Sequence, residues 1–283
     1  ERAFLDRHAA CGQRLAQVAA TPFVFFSLNP GASGLYLVAE HLALLWGLPG
    51  VWLALQYPER TNKYLLLGSG ALLSMAVLVK QTAGVFGLAV VVYWLIRWLQ
   101  NGREQSLKPL LWWVMGGIFP IFCAFLVVWA AGTMQDAHFW LYEYPQLYAT
   151  SANDDKIGLY FKTSWKLVSM GYEGYFVFAG LGLLALWWSR LSLASKAFIT
   201  VWALLSALTI VPGMRFYGHY YLLAFPAACI AGAMLFDTIG KRITQKDTMP
   251  VLLLALGLLW SAHHILINNN LYIRPPLRMI SRV

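Results

Sequence analysis

The chain has 283 residues, of which 59% are apolar and 15% aromatic, while only 12% are charged; its mean hydropathy is +0.59. Ordinary soluble domains carry roughly twice that charge, so a water-soluble globular domain is excluded and the bilayer is the expected solvent. The net charge of +9 would point to nucleic acid in a soluble protein, but here most of it falls in short loops between apolar runs, where it orients a protein in a membrane. Nucleic acid is therefore not an expected partner.

The apolar runs predict an all-α fold: a polytopic bundle of about nine transmembrane helices. Helices are required because isolated strands in lipid would leave backbone groups unpaired. The spans run from Gln13 to Leu28, Ser33 to Leu55, Tyr64 to Lys80, Gly84 to Leu99 and Pro109 to Gly132, then from Tyr172 to Trp188, Lys196 to Val211, His219 to Asp237 and Pro250 to Ile267. This reading treats residues 1–267 as one transmembrane domain and 268–283 as an extracytoplasmic tail. Three cysteines, Cys11, Cys123 and Cys229, lack metal-ligand spacing and read as small packed side chains. The chain opens on Glu1 without the features of a signal peptide, which reads as an internal piece of a longer polypeptide.

The connections sort by charge. Thirteen basic residues lie in compact loops on one side: Arg2, Arg7, Arg14, Arg60, Lys63, Arg97, Arg103, Lys108, Arg190, Lys196, Lys241, Arg242 and Lys246. The positive-inside rule places that side in the cytoplasm. The other side carries Lys80, Arg215 and the long connection 133–171 with Asp136, Glu143, Asp154 and Asp155. Within that connection, residues 137–148 (AHFWLYEYPQLY) are dense in aromatics. Residues 157–170 read as an amphipathic helix in the membrane interface, with Lys162 and Lys166 beside Tyr160, Phe161 and Trp165.

Three places could carry chemistry. Lys80 and Gln81 sit in a tight outer hairpin, where the lysine either snorkels or holds a phosphate. Arg215 and His219 follow Pro212-Gly213 four positions apart and, on a return helix starting near Tyr217, would face one point; a guanidinium fork suits phosphate oxygens. Tyr220 follows directly. Glu40 and His41 fall about two turns inside the second span, where an acid is a functional candidate by default. Glu40 could hydrogen-bond a sugar hydroxyl, or ligate a divalent cation with His41 or an outer histidine (His138, His263, His264). None of these has zinc-motif spacing, and internal polar pairing is the favoured reading. No Ser-His-Asp signature, phosphate-binding Gly-rich loop or nucleotide domain is evident, so an enzyme here would draw its activated substrate from the lipid phase.

LLSMAVLVKQTAGVF, ending a span with Lys80-Gln81, and RFYGHYYLLAFP, with Arg215, His219 and Tyr220, resemble the corresponding stretches of integral-membrane glycosyltransferases. The type is that of the dolichyl-phosphate-mannose protein mannosyltransferases and the aminoarabinose transferase that modifies lipid A, of the GT-C superfamily. The resemblance implies a polyprenyl-phosphate-linked sugar as donor, transferred with inversion on the extracytoplasmic face of the inner membrane to a protein, lipid or glycan acceptor. It implies that Lys80, Arg215 and His219 bind the donor phosphate, and it places Glu40 where many relatives carry a polar motif. The catalytic carboxylate of such enzymes lies in the first outer loop, so here it would precede Glu1, two spans upstream. Rival readings are a lipid-linked sugar flippase or transporter, an O-antigen polymerase or ligase, and a structural membrane subunit.

Overall fold

A computed structural model describes residues 37–60, 62–100, 108–150, 154–169, 173–189 and 191–243, with a few isolated positions elsewhere. All secondary structure among the described residues is helical. In chain order the helices are α1 (Ala39–Arg60), α2 (Lys63–Val79), α3 (Gly84–Gln100), α4 (Lys108–Ala130), α5 (Met134–His138), α6 (Tyr144–Thr150), α7 (Ile157–Ser169), α8 (Glu173–Leu186), α9 (Leu193–Leu208) and α10 (Phe225–Ile243). Short 3-10 turns occupy Gln81–Ala83, Asp154–Lys156, Pro212–Met214 and Gly218–Leu223, and a π-helical turn, Phe139–Glu143, joins α5 to α6.

Local chemistry sets several boundaries. Asn62 caps α2, its Oδ1 accepting the Tyr64 N–H at 3.0 Å, and Ser192 caps α9 by accepting from the Ser195 N–H at 3.2 Å. The last turn of α4 closes on Gly132 at φ 70, with the Thr133 N–H reaching Val128 O and the Gly132 N–H reaching Trp129 O. This is the paired bonding of a glycine-terminated helix end, and it releases the chain into α5.

Among the described residues two helical stretches are long and apolar enough to cross a membrane: Gln81–Gln100 and Lys108–Ala130. The second is almost wholly exposed, with Gly116 its buried residue, which a core helix of a soluble protein would not show. Val114, Phe119, Phe122, Val127 and Trp129 all stand exposed along it, as does Cys123, which is therefore not a packed core residue; Cys229 is buried. The helices Lys63–Val79, Tyr175–Leu186, Leu193–Leu208 and Phe225–Leu235 are apolar but shorter. At 1.5 Å per residue α2 reaches about 25 Å, less than the roughly 30 Å of hydrocarbon. Most of the span expected at Gln13 to Leu28, the one expected at Pro250 to Ile267, and the tail 268–283 lie outside the described residues.

The chain divides into two compact units: Tyr36–Thr163 with Leu191–Ala224, and Glu1–Leu35 with Ser164–Arg190 and Phe225–Val283. In the first, α2 packs against α1 and α4, and α3 packs against α9. The α2–α4 contact is backbone against backbone: a Cβ on Gly70 would come within 2.0 Å of Trp113 O, and one on Gly116 within 2.1 Å of Leu67 O. Ser69 ties the group together, its Oγ donating to Gly50 O at 2.7 Å and accepting from the Trp113 indole N–H at 3.2 Å. The α3–α9 seam is aromatic, with Phe86 edge-on to Trp202 and Tyr93 edge-on to Phe198. In the second unit α8 packs on α10, where a Cβ on Gly182 would meet Ala231 O at 1.9 Å.

Of residues 157–170, expected as an amphipathic interfacial helix, 157–169 form α7, on which Leu159, Phe161 and Leu167 are exposed. The aromatic run 137–148 is also helical and carries exposed Trp140, Leu141, Tyr142 and Leu147. Trp and Tyr are enriched at the headgroup level of bilayers.

Candidate functional site

The polar residues of the first unit gather where α1 begins, α2 ends and the chain turns between α9 and α10. Helix α1 starts at Ala39, so Glu40 lies in its first turn rather than two turns inside a span. Its carboxylate therefore meets the positive end of the helix dipole. Yet Glu40 is only 1% exposed, and a carboxylate so buried needs a partner. Lys80 supplies it. The lysine follows α2 in extended conformation (φ −152, ψ 118), and its ammonium is hydrogen-bonded and ion-paired to Glu40 Oε1. The lysine side chain keeps 20% exposure.

His219 approaches the same carboxylate oxygen, with Nε2 at 3.9 Å. Burial holds its imidazole below the usual histidine range; Glu40 pulls in the opposite sense, and Lys80 adds to the depression. His219 is therefore neutral at pH 7. The helix expected from Tyr217 does not form. Residues 218–223 make a 3-10 turn and α10 starts only at Phe225, with Pro226 in its first turn, where a missing N–H costs nothing. Arg215 and His219 consequently do not share a helical face.

The lysine ammonium also lies over the ring of Tyr220, 4.5 Å from its centroid. The Tyr220 hydroxyl bonds the Tyr148 hydroxyl at 2.9 Å, and the Arg215 guanidinium lies over the Tyr148 ring at 5.0 Å. Lys80 and Arg215 thus each lie over one ring of a hydrogen-bonded tyrosine pair. Arg215 further donates to the Tyr217 hydroxyl at 3.3 Å, and the Tyr217 ring stacks on His219 at 5.6 Å. Gln81, also in this region, donates from Nε2 to Leu141 O at 3.4 Å.

The backbone around Arg215 is held in an uncommon conformation. Gly213, Met214 and Phe216 all have positive φ (68, 50 and 49). For Met and Phe this costs on the order of 1–3 kcal/mol each and persists only where the surroundings enforce it. Phe216 is buried and set edge-on against Phe161 at 5.2 Å, which anchors the turn. At Gly213 a Cβ would fall 2.2 Å from the Tyr148 ring. Gly213→Ala should accordingly lower stability by about 2 kcal/mol, from left-handed strain plus the clash, and should displace Tyr148. Thermal unfolding in detergent would measure the first effect, and tyrosine fluorescence of a variant lacking other emitters near the site the second.

Two members of the cluster, Tyr148 and Tyr217, are not among the residues the sequence picks out singly. Tyr148 is hidden in the aromatic run 137–148, where each ring looks alike; its distance of 72 positions from Tyr220 leaves no local signal. His138, considered as a ligand beside Asp136, instead pairs with Glu143 at 3.2 Å on an exposed surface. His41 accepts from the Val38 N–H at 3.4 Å, and His263 and His264 lie outside the described residues. Among the described residues no group of three or more His, Cys, Asp or Glu side chains is placed to share a metal ion.

No family model, curated protein or solved structure matches the chain.

Proposed function

We propose that this protein is a polytopic membrane glycosyltransferase that takes its sugar from a polyprenyl-phosphate carrier on the extracytoplasmic face, with the donor phosphate lodged over the Tyr148–Tyr220 pair between Lys80 and Arg215. One observation carries this reading: two cations from distant parts of the chain lie over the two rings of a hydroxyl-bonded tyrosine pair. A phosphate there would accept from a tyrosine O–H and from the guanidinium fork, charge-assisted contacts that strengthen away from water. As the sugar departs, the charge growing on the phosphate is stabilised by the same donors. Sugar, acceptor class and inverting stereochemistry follow the resemblance in the two motifs.

Arg215 is the sharper test of this site, because Lys80 also serves Glu40. Arg215→Gln in the full-length protein should reduce sugar transfer from a polyprenyl-phosphate donor by at least about a hundredfold, on the order of two charge-assisted hydrogen bonds, with the variant still inserted and folded. Radiolabelled sugar transfer in membranes reads this out. Turnover within twofold of wild type would remove Arg215 from the donor site.

A further inference from the structure

Glu40 is an odd neighbour for a phosphate. Its carboxylate is almost wholly buried and already bonded to the Lys80 ammonium, so the charge of Lys80 is balanced before any ligand arrives. We propose that an anionic lipid phosphate binding at Lys80 draws one proton from solvent onto the Glu40–His219 pair, making donor binding proton-coupled. This rests on the donor-phosphate reading above and adds its regulation.

In the site above Arg215 offsets the ligand's own charge, but a phosphate that shares the Lys80 ammonium weakens the contact on which the Glu40 carboxylate depends. Glu40 cannot make up that loss by turning to water, since it is 1% exposed. Among the described residues, Lys80 and His219 are the basic groups within ion-pair distance of its carboxylate. Lys80 comes from the end of α2, and His219 from the 3-10 turn 218–223, which also brings Tyr220. His41 is Glu40's neighbour on α1, and Tyr217 stacks on His219 from the far side.

His219 has the right properties for the receiving group. Its Nε2 lies 3.9 Å from Glu40 Oε1, and its side chain is 31% exposed, so a proton can reach it from solvent. With Lys80 shared by the ligand, an imidazolium at that distance replaces the lost attraction on Glu40. Before binding the cluster holds an ammonium, a carboxylate and a neutral imidazole. Afterwards it holds the ammonium, the ligand anion facing Arg215, and a carboxylate–imidazole pair carrying one added proton, so that each anion keeps a cation beside it.

The test is calorimetric titration of the full-length protein in nanodiscs with a polyprenyl phosphodiester, whose charge stays constant between pH 5.5 and 8. Titrations are repeated in buffers of different ionisation enthalpy. Wild type should take up close to one proton per ligand near pH 7, and its affinity should fall as pH rises, approaching about tenfold per unit, the linkage limit for one proton. Glu40→Gln should bind more tightly at pH 7.5 and lose the pH dependence, while His219→Gln should reduce the uptake. Binding by wild type with no proton uptake and a flat pH profile would overturn the proposal. In that event a weakened Arg215→Gln titration would show the phosphate site itself still standing. Absence of binding at every pH would remove both.

Discussion

Lys80→Met is expected to cost about 3–5 kcal/mol of stability, the toll of stranding a buried carboxylate, while Lys80→Met combined with Glu40→Gln should recover most of that loss. The ammonium of Lys80 reaches a carboxylate that is 1% exposed at the start of α1. Removing the ammonium leaves a charge that the dipole of α1 offsets only in part, whereas removing both charges leaves a neutral amide that can be satisfied by a hydrogen bond. The coupling is read from a double-mutant cycle of thermal or denaturant unfolding in detergent. Additive single-variant effects would mean that the two residues do not depend on each other. The single variant should also become less unstable as pH falls below the usual histidine range, where a protonated His219 at 3.9 Å partly replaces the lost cation. The same cycle bears on activity assays. A loss of function in a Lys80 variant alone mixes a missing ligand contact with a disturbed fold, and the double variant separates them.

Gly116→Ala and Gly70→Ala should each cost about 3 kcal/mol, at the severe end of overpacking, and together should prevent α2 and α4 from docking. The contacts a Cβ would make here are to backbone atoms, Leu67 O at 2.1 Å and Trp113 O at 2.0 Å, and a carbonyl in a helix cannot swing aside as a side-chain tip can. Helices that associate within a bilayer rely on close approach of this kind, since apolar burial between them contributes little. Gly182→Ala belongs to the same class, with Ala231 O at 1.9 Å. Gly180→Ala, two positions earlier on α8, should be neutral or stabilising by roughly 0.5–1 kcal/mol, because nothing lies within 4 Å of its Cβ position and alanine is the better helix former. Unfolding midpoints of the four variants, compared under one detergent condition, would reveal the split. Equal effects at Gly180 and Gly182 would refute the packing argument.

Composition and periodicity were enough to determine the helical class, because a chain this apolar and this poor in charge must satisfy its backbone hydrogen bonds within each segment. They were also enough to locate most helix boundaries within a few residues and to single out Glu40, Lys80, Arg215, His219 and Tyr220, since polar groups between apolar runs stand out by contrast. Local pattern did not determine where α1 and α10 begin. Glu40 lies in a first turn rather than deep in a span, and residues 218–223 coil as a 3-10 turn ahead of Pro226.

The partners were decided only by tertiary structure. Lys80 is forty positions from Glu40, and Tyr148 seventy-two from Tyr220, separations over which sequence carries no periodic signal. The two glycines of FAGLGLL are equivalent on the page, yet one faces open space and the other a carbonyl oxygen. The physical reason is common to both cases: burial and charge contrast are properties of a residue's own neighbourhood along the chain, whereas pairing and close packing depend on which other helix arrives opposite it.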